Sequence, residues 1–210
     1  MTFNLNRREL LTQCLAFSSL AMTSGLLLPV ELAALEEDTN SGKPTAWNEM
    51  GPFYKRDAPR ITQLRASGDA GFPLAVSGRV LDTRGSVVQA AVLEIWHADH
   101  LGRYDIDGYR YRTTLVSAAS GNYAFESVVP GHYPDRVCQH IHYFVNAPGH
   151  KPLTTQLYFA SDPVFEGDPD RNYSRDPLIQ NRDLVRPVVI TGDPKASRAA
   201  VTFEIVLERL

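Results

Sequence analysis

From Phe72 to the C-terminus, apolar and polar positions alternate in short runs, and each run closes on a turn signal. Residues 73–81 (PLAVSGRVL) and 91–96 (AVLEIW) carry apolar side chains at period two, which predicts half-buried β-strands. Asp82-Thr83-Arg84-Gly85 reads as the turn between them. Runs at 122–129, 140–146, 154–159, 184–190 and 200–207 complete the set. Ser120-Gly121-Asn122, Val129-Pro130-Gly131 and Ala147-Pro148-Gly149 punctuate them. No long 3.6-residue apolar repeat follows residue 34. The pattern predicts an all-β fold, a β-sandwich of short strands. Two stretches do not fit strands: residues 47–61 (WNEMGPFYKRDAPRI) and the charged stretch 161–182. Both read as long loops, and long ordered loops on a rigid β scaffold often carry sites.

The N-terminus has a different pattern. Arg7-Arg8 precede Leu10-Leu11, and residues 15–28 carry no charge and are rich in Leu, Ala and Ser. A basic head on a short apolar stretch suits an export signal better than a membrane span or an amphipathic helix. The paired arginines resemble a twin-arginine leader, a route that passes folded proteins. The expected organisation is an export signal over residues 1–34, a polar linker over 35–46 and a β-sandwich domain over 47–210. No clean Ala-x-Ala marks a cleavage point near Ala33-Ala34. The expected location is periplasmic or extracellular, without stable membrane anchoring.

Composition narrows the partners. The 210 residues carry a formal charge of −3, which gives no reason to expect nucleic acid. The 14 glycines and 14 prolines suit many turns. Of two cysteines, Cys14 lies in the leader, so the domain keeps one thiol, Cys138, and no internal disulfide. Cys138 stands two residues before His140 and reads as a small buried side chain.

His140-Ile141-His142 places two imidazoles at i and i+2 of one strand. They leave the same face, about 7 Å apart along the strand, and can close on one metal ion. Tyr104, after the turn Leu101-Gly102-Arg103, and Tyr133, in Pro130-Gly131-His132-Tyr133-Pro134, can complete the set. A free phenol has a pKa near 10, so only a strongly acidic metal keeps it ionised at neutral pH. Zinc draws on Cys, His and carboxylates instead. Two His with two Tyr therefore point to non-haem Fe(III).

Residues 51 to about 163 resemble the intradiol ring-cleavage dioxygenases, the catechol and protocatechuate dioxygenase family. The matching pieces are Gly51-Pro52-Phe53-Tyr54, Ile95-Trp96-His97-Ala98 leading to Gly102-Arg103-Tyr104, Gly121-Asn122-Tyr123-Ala124-Phe125, Pro130-Gly131-His132-Tyr133-Pro134, His140-Ile141-His142 and Thr155-Gln156-Leu157-Tyr158-Phe159. Each is weak alone; six in order are specific. The resemblance implies Fe(III) held by Tyr104 and His142 in equatorial positions and by Tyr133 and His140 in axial ones. It implies a catechol-type diol and O2 as substrates, and cleavage between the two hydroxylated carbons to a muconate-type diacid. Gln156 matches the family's glutamine near the bound diol. The family arginine stands three residues before the first histidine; that position is Val137 here, and Arg136 stands one earlier. Pro52, Tyr54 and His97 are the candidates to border the substrate. Family members pair as homodimers or larger assemblies. Two other readings are a non-catalytic transthyretin-like β-sandwich binding module and a His-based zinc or copper enzyme. Tyrosine-rich ligation without a carboxylate in the cluster speaks against the latter.

Overall fold

The computed structural model describes residues 42–133, 136–193 and 196–210. The leader expected over 1–34 lies outside the described residues.

Ten strands form: β1 (Pro73–Asp82), β2 (Val92–Trp96), β3 (Arg112–Val116), β4 (Asn122–Val128), β5 (His140–Asn146), β6 (Leu153–Phe159), β7 (Val185–Arg186), β8 (Val189–Thr191), β9 (Arg198–Thr202) and β10 (Ile205–Leu207). They make two five-stranded sheets. In the first, β1 pairs antiparallel with β4 on one side. On the other side it pairs parallel with β9 and then β10, and β8 forms the edge beyond β9. The second sheet runs β3-β2-β5-β6-β7. The inner faces interdigitate: Leu93, Ile95, Ile141, Tyr143, Val145 and Leu157 of the second sheet are buried in one core with Leu74, Val76, Phe125 and Val201 of the first. The Tyr143 ring reaches Phe203 at 5.2 Å and Tyr123 at 6.2 Å across the interface. Tyr123 in turn donates its hydroxyl to the Phe203 carbonyl at 2.6 Å. Gly78 is required where β1 meets the β9–β10 join, because a Cβ there would stand 1.9 Å from the Phe203 carbonyl oxygen.

The expected sandwich is therefore the observed one, with three differences of detail. The run at 184–190 is split into β7 and β8, and the run at 200–207 into β9 and β10. β3 (RTTLV) carries an arginine and two threonines, which hide its period-two apolar signal. Part of the expected linker packs on the domain: Thr45 is buried, donates its amide to the Val206 carbonyl and accepts the Val206 amide at its hydroxyl.

The loops over 47–61 and 161–182 are long as expected. The first holds no regular element; the second holds short helical turns at Pro163–Phe165, Pro169–Asn172 and Tyr173–Arg175. Among the described residues no helix is long and apolar enough to cross a membrane.

Candidate functional site

The site is built on the outer face of the second sheet. Directly opposed residues on neighbouring strands share a face. The register opposes Trp96 to Arg112, His142 to Trp96, and Gln156 to His142. One row, Arg112–Trp96–His142–Gln156, thus crosses β3, β2, β5 and β6. The next row toward the start of β5 opposes His140 to Tyr158. On an uncovered sheet this face would meet water, yet every one of these six residues is buried. The long loops cover it.

The four predicted ligands converge. The His140 and His142 rings lie 4.8 Å apart at 81°, and the Tyr104 and Tyr133 rings 5.6 Å apart at 84°. Tyr133 is 5.8 Å from His140, and Tyr104 is 6.3 Å from His142, centroid to centroid. The Tyr104 hydroxyl comes 3.4 Å from His140 Nε2. His140 donates Nδ1–H to the Cys138 carbonyl at 2.8 Å, which leaves the Nε2 lone pair for the cluster. The His142 ring stacks on the Trp96 indole at 4.9 Å and 3°. Gly51 closes its other side: at φ +69° a Cβ would stand 3.2 Å from His142 Cε1. His142 is thus held in a slot, and among the described residues its buried Nδ1 has the Glu49 backbone beside it without a well-formed hydrogen bond.

Electrostatics favour a cation over a proton here. Burial pulls the His140 imidazole down to about 3, with Arg136 adding to it, and pulls His142 well below its ordinary value, with His140 adding. Burial pushes the Tyr104 phenol far up, reinforced by Tyr133 and opposed by Arg136 and Arg112. The result is two neutral nitrogen donors and, at Tyr104, a phenol that ionises only against a strongly acidic ion. Among the described residues no three His, Cys, Asp or Glu side chains gather to hold a metal. Two imidazoles and two phenols together make a donor set that fits a hard, acidic cation.

Arg136 and Gln156 lie together at its edge. Arg136 Nη2 donates to Gln156 Oε1 at 2.8 Å and to the Tyr158 hydroxyl at 3.1 Å. Gln156 donates Nε2 to the Glu49 carbonyl at 2.8 Å. Tyr158 donates its hydroxyl to Gln156 and accepts from Asn48 Nδ2 at 3.1 Å. Among the described residues Arg136 Nε is buried without a hydrogen-bond partner, and the buried Asp176 carboxylate lies 4.0 Å from Nη2.

The three expected substrate contacts separate. Pro52 is exposed on the loop that packs over His142. Tyr54 donates its hydroxyl to Glu94 at 2.7 Å, and its ring lies 5.1 Å from Trp96. Burial pushes the Tyr54 phenol up to about 12, with Glu94 adding to it. With Glu94, Thr114 and Phe144 it borders a shallow cavity of about 270 Å³ beside the row. His97 is buried, with Nδ1 at 2.7 Å from the Ala98 carbonyl and Nε2 at 2.7 Å from the Ser127 hydroxyl of β4. Both ring nitrogens are occupied in packing, which leaves none for a substrate. Cys138 is free and buried, as expected.

Sequence reasoning gave no role to Phe53, whose ring stacks on Tyr104 at 4.2 Å and 14°. It also passed over Trp96, Asn48, Tyr158 and Arg112 as single residues. A signal existed for Tyr158, which stands two residues after Gln156 and so on the same strand face.

Comparison with known proteins agrees with this geometry. The family described as Dioxygenase matches residues 50–209. A hydroxyquinol 1,2-dioxygenase of Rhodococcus opacus is 34% identical over 186 residues, 75% of this chain and 62% of that protein. A hydroxyquinol 1,2-dioxygenase of Nocardioides simplex is 33% identical over 150 residues, 60% of this chain and 51% of its own length. The chain spans about half the length of such curated relatives. The solved dioxygenase domain of a dioxygenase–carbohydrate-binding protein fusion from Streptomyces sp. SirexAA-E superposes with a TM-score of 0.68 at 33% identity, covering 80% of this chain and 100% of that one. A catechol 1,2-dioxygenase of Acinetobacter sp. ADP1 gives a TM-score of 0.66 at 25% identity, covering 78% and 62%. The order of the motifs, the sandwich and the matched length agree: this chain belongs to the intradiol ring-cleavage dioxygenase family.

Proposed function

We propose that this chain is a non-haem Fe(III) dioxygenase that cleaves a catechol-type ring between its two hydroxyls with O2, giving a muconate-type diacid. The observation that carries the proposal is the convergence of two imidazoles and two phenols on one buried face. The names of the relatives, hydroxyquinol and catechol 1,2-dioxygenases, support the substrate class.

Tyr104, Tyr133, His140 and His142 would hold the ion. When bound, Fe(III) supplies Lewis acidity that keeps phenols ionised and makes a chelated diol electron-rich toward O2. Tyr133 sits on a loop rather than a strand; held as a phenolate by the ion, its Oη would take up a proton from an incoming diol. His140 and His142, fixed on β5, keep neutral lone pairs across the ordinary pH range. Arg136, backed by Gln156 and Tyr158, offers positive charge to a dianionic ring. The covering loops exclude water from the face.

Oxygen uptake and product identification across a panel of catechol, protocatechuate and hydroxyquinol test this. One O2 consumed per diol with a ring-opened diacid is expected. Cleavage beside the hydroxyls, or no uptake by iron-loaded protein, would refute it. Export through a twin-arginine route is supported by Arg7-Arg8 and the uncharged stretch behind them. Fusion of residues 1–46 to a reporter, with Arg7 and Arg8 replaced by Lys as control, tests it; a reporter left in the cytoplasm overturns it. Homo-oligomer formation rests on the family resemblance, and sedimentation decides it.

A further inference from the structure

Arg112 is the most buried arginine near the site, at 2% exposure. Among the described residues its guanidinium is held only by backbone carbonyl oxygens. Nη1 donates to the Phe53 carbonyl at 2.6 Å, and Nε and Nη2 donate to the Asp105 carbonyl at 3.3 and 3.0 Å. Burying a charge is costly, and the nearby Asp105 carboxylate favours it only through space, while every hydrogen bond of the fork goes to a carbonyl; a simple filling role suits a neutral side chain better.

The two carbonyls belong to different segments. Phe53 lies in the loop over 47–61, which also carries Gly51. Asp105 follows Tyr104. The side chains at these two points form the tightest ring pair of the site, Phe53 on Tyr104 at 4.2 Å. Neither segment is part of a strand, so no ladder fixes their separation; further out, the flexible Lys55 ammonium donates to the Asp107 and Gly108 carbonyls at 2.7 and 3.3 Å. Arg112 is part of one: it opposes Trp96, and Trp96 opposes His142. A rigid planar fork with donors on two sides can hold two acceptors at fixed spacing, which a lysine ammonium cannot.

We propose that Arg112 is a positioning residue: it clips the Phe53 and Tyr104 segments together and registers that ring pair to the sheet row carrying His142. It thereby fixes where the Tyr104 oxygen stands relative to His140 and His142. In its effect on the metal this rests on the ferric reading above; the clip itself does not.

The test begins with metal-free protein. Amide hydrogen exchange is compared for wild type, Arg112→Lys and Arg112→Met, with thermal unfolding as a control on the fold. Arg112→Met should speed exchange at residues 51–55 and 104–108 together, leave β1 and β6 unchanged, and weaken Fe(III) binding roughly tenfold with a shifted tyrosinate band. Arg112→Lys should restore part of each effect. A folded Arg112→Met protein with wild-type exchange in both segments and an unmoved band overturns the proposal. Should Arg112→Met fail to fold, Arg112→Lys decides: exchange at 51–55 and 104–108 must exceed wild type and the tyrosinate band must shift, and wild-type exchange with an unmoved band overturns the proposal. If wild type binds no Fe(III), the ferric reading fails, and the exchange data alone decide the clip.

Discussion

Gly51 shows how one residue type can be dictated by a site. Its φ of +69° and the 3.2 Å gap to His142 Cε1 leave no room for a side chain without strain. Gly51→Ala should cost about 1–2 kcal/mol from the left-handed backbone alone and push His142 off the Trp96 ring. Urea unfolding measures the first effect, and Fe(III) affinity the second. Gln156→Ala removes the acceptor shared by Arg136 and Tyr158. It should lower activity about 10- to 100-fold and also cost about 1–3 kcal/mol of stability, because Gln156 is fully buried and its partners at Arg136, Tyr158 and the Glu49 carbonyl lose a hydrogen bond. Steady-state kinetics on the preferred diol check it. The four proposed ligands were legible in the sequence as a group that meets, since a His-x-His strand and two turn tyrosines point to one site. Phe53, Trp96 and Arg112 were not. Each is an ordinary residue type, and their roles come from cross-strand register and loop closure, which no local pattern encodes.

At the scale of elements, the second sheet differs from an ordinary half-solvated one. All of β5 except Phe144 and Asn146 is buried, because both of its faces are covered. This is why 140–146 reads as a strand from its neighbours and not from clean alternation, and why the polar β3 escaped notice. The loops that cover the outer face need anchors, and Asp162 is one. Its buried carboxylate accepts the Gln139 amide at 2.8 Å, the Val164 amide at 2.9 Å and His132 Nε2 at 3.1 Å. These tie the 161–182 loop to the entrance of β5 and to the turn carrying Tyr133. Asp162→Ala should cost about 2–3 kcal/mol, as expected for losing charge-assisted hydrogen bonds in a buried place. Denaturant unfolding of the metal-free protein measures it.

For the whole molecule, buried neutral imidazoles make metal-free stability fall in acid. Burial pulls His97 down to about 4 and His140 to about 3, whereas an unfolded histidine titrates near 6.5. On acidification the unfolded chain takes up these protons first. The stabilisation is therefore complete above pH 6.5 and is lost as pH falls toward the folded values. Each such histidine removes up to about 2 kcal/mol between pH 6.5 and 5. Urea midpoints at pH 7 and pH 5 check the direction: a midpoint that rises in acid contradicts it. The loops over the outer face of the second sheet keep His140 dry, and His97 is buried between the Ala98 carbonyl and the Ser127 hydroxyl.

Tyrosinate ligation to Fe(III) gives a visible charge-transfer band that zinc or an empty sandwich cannot produce. The most direct measurement is the visible spectrum of the purified protein during Fe(III) titration, followed by anaerobic addition of catechol. One equivalent should produce a burgundy band, catechol should shift it, and Tyr104→Phe and Tyr133→Phe should each alter it. A protein that stays colourless at saturating Fe(III), or whose band ignores both substitutions, contradicts the four-ligand centre.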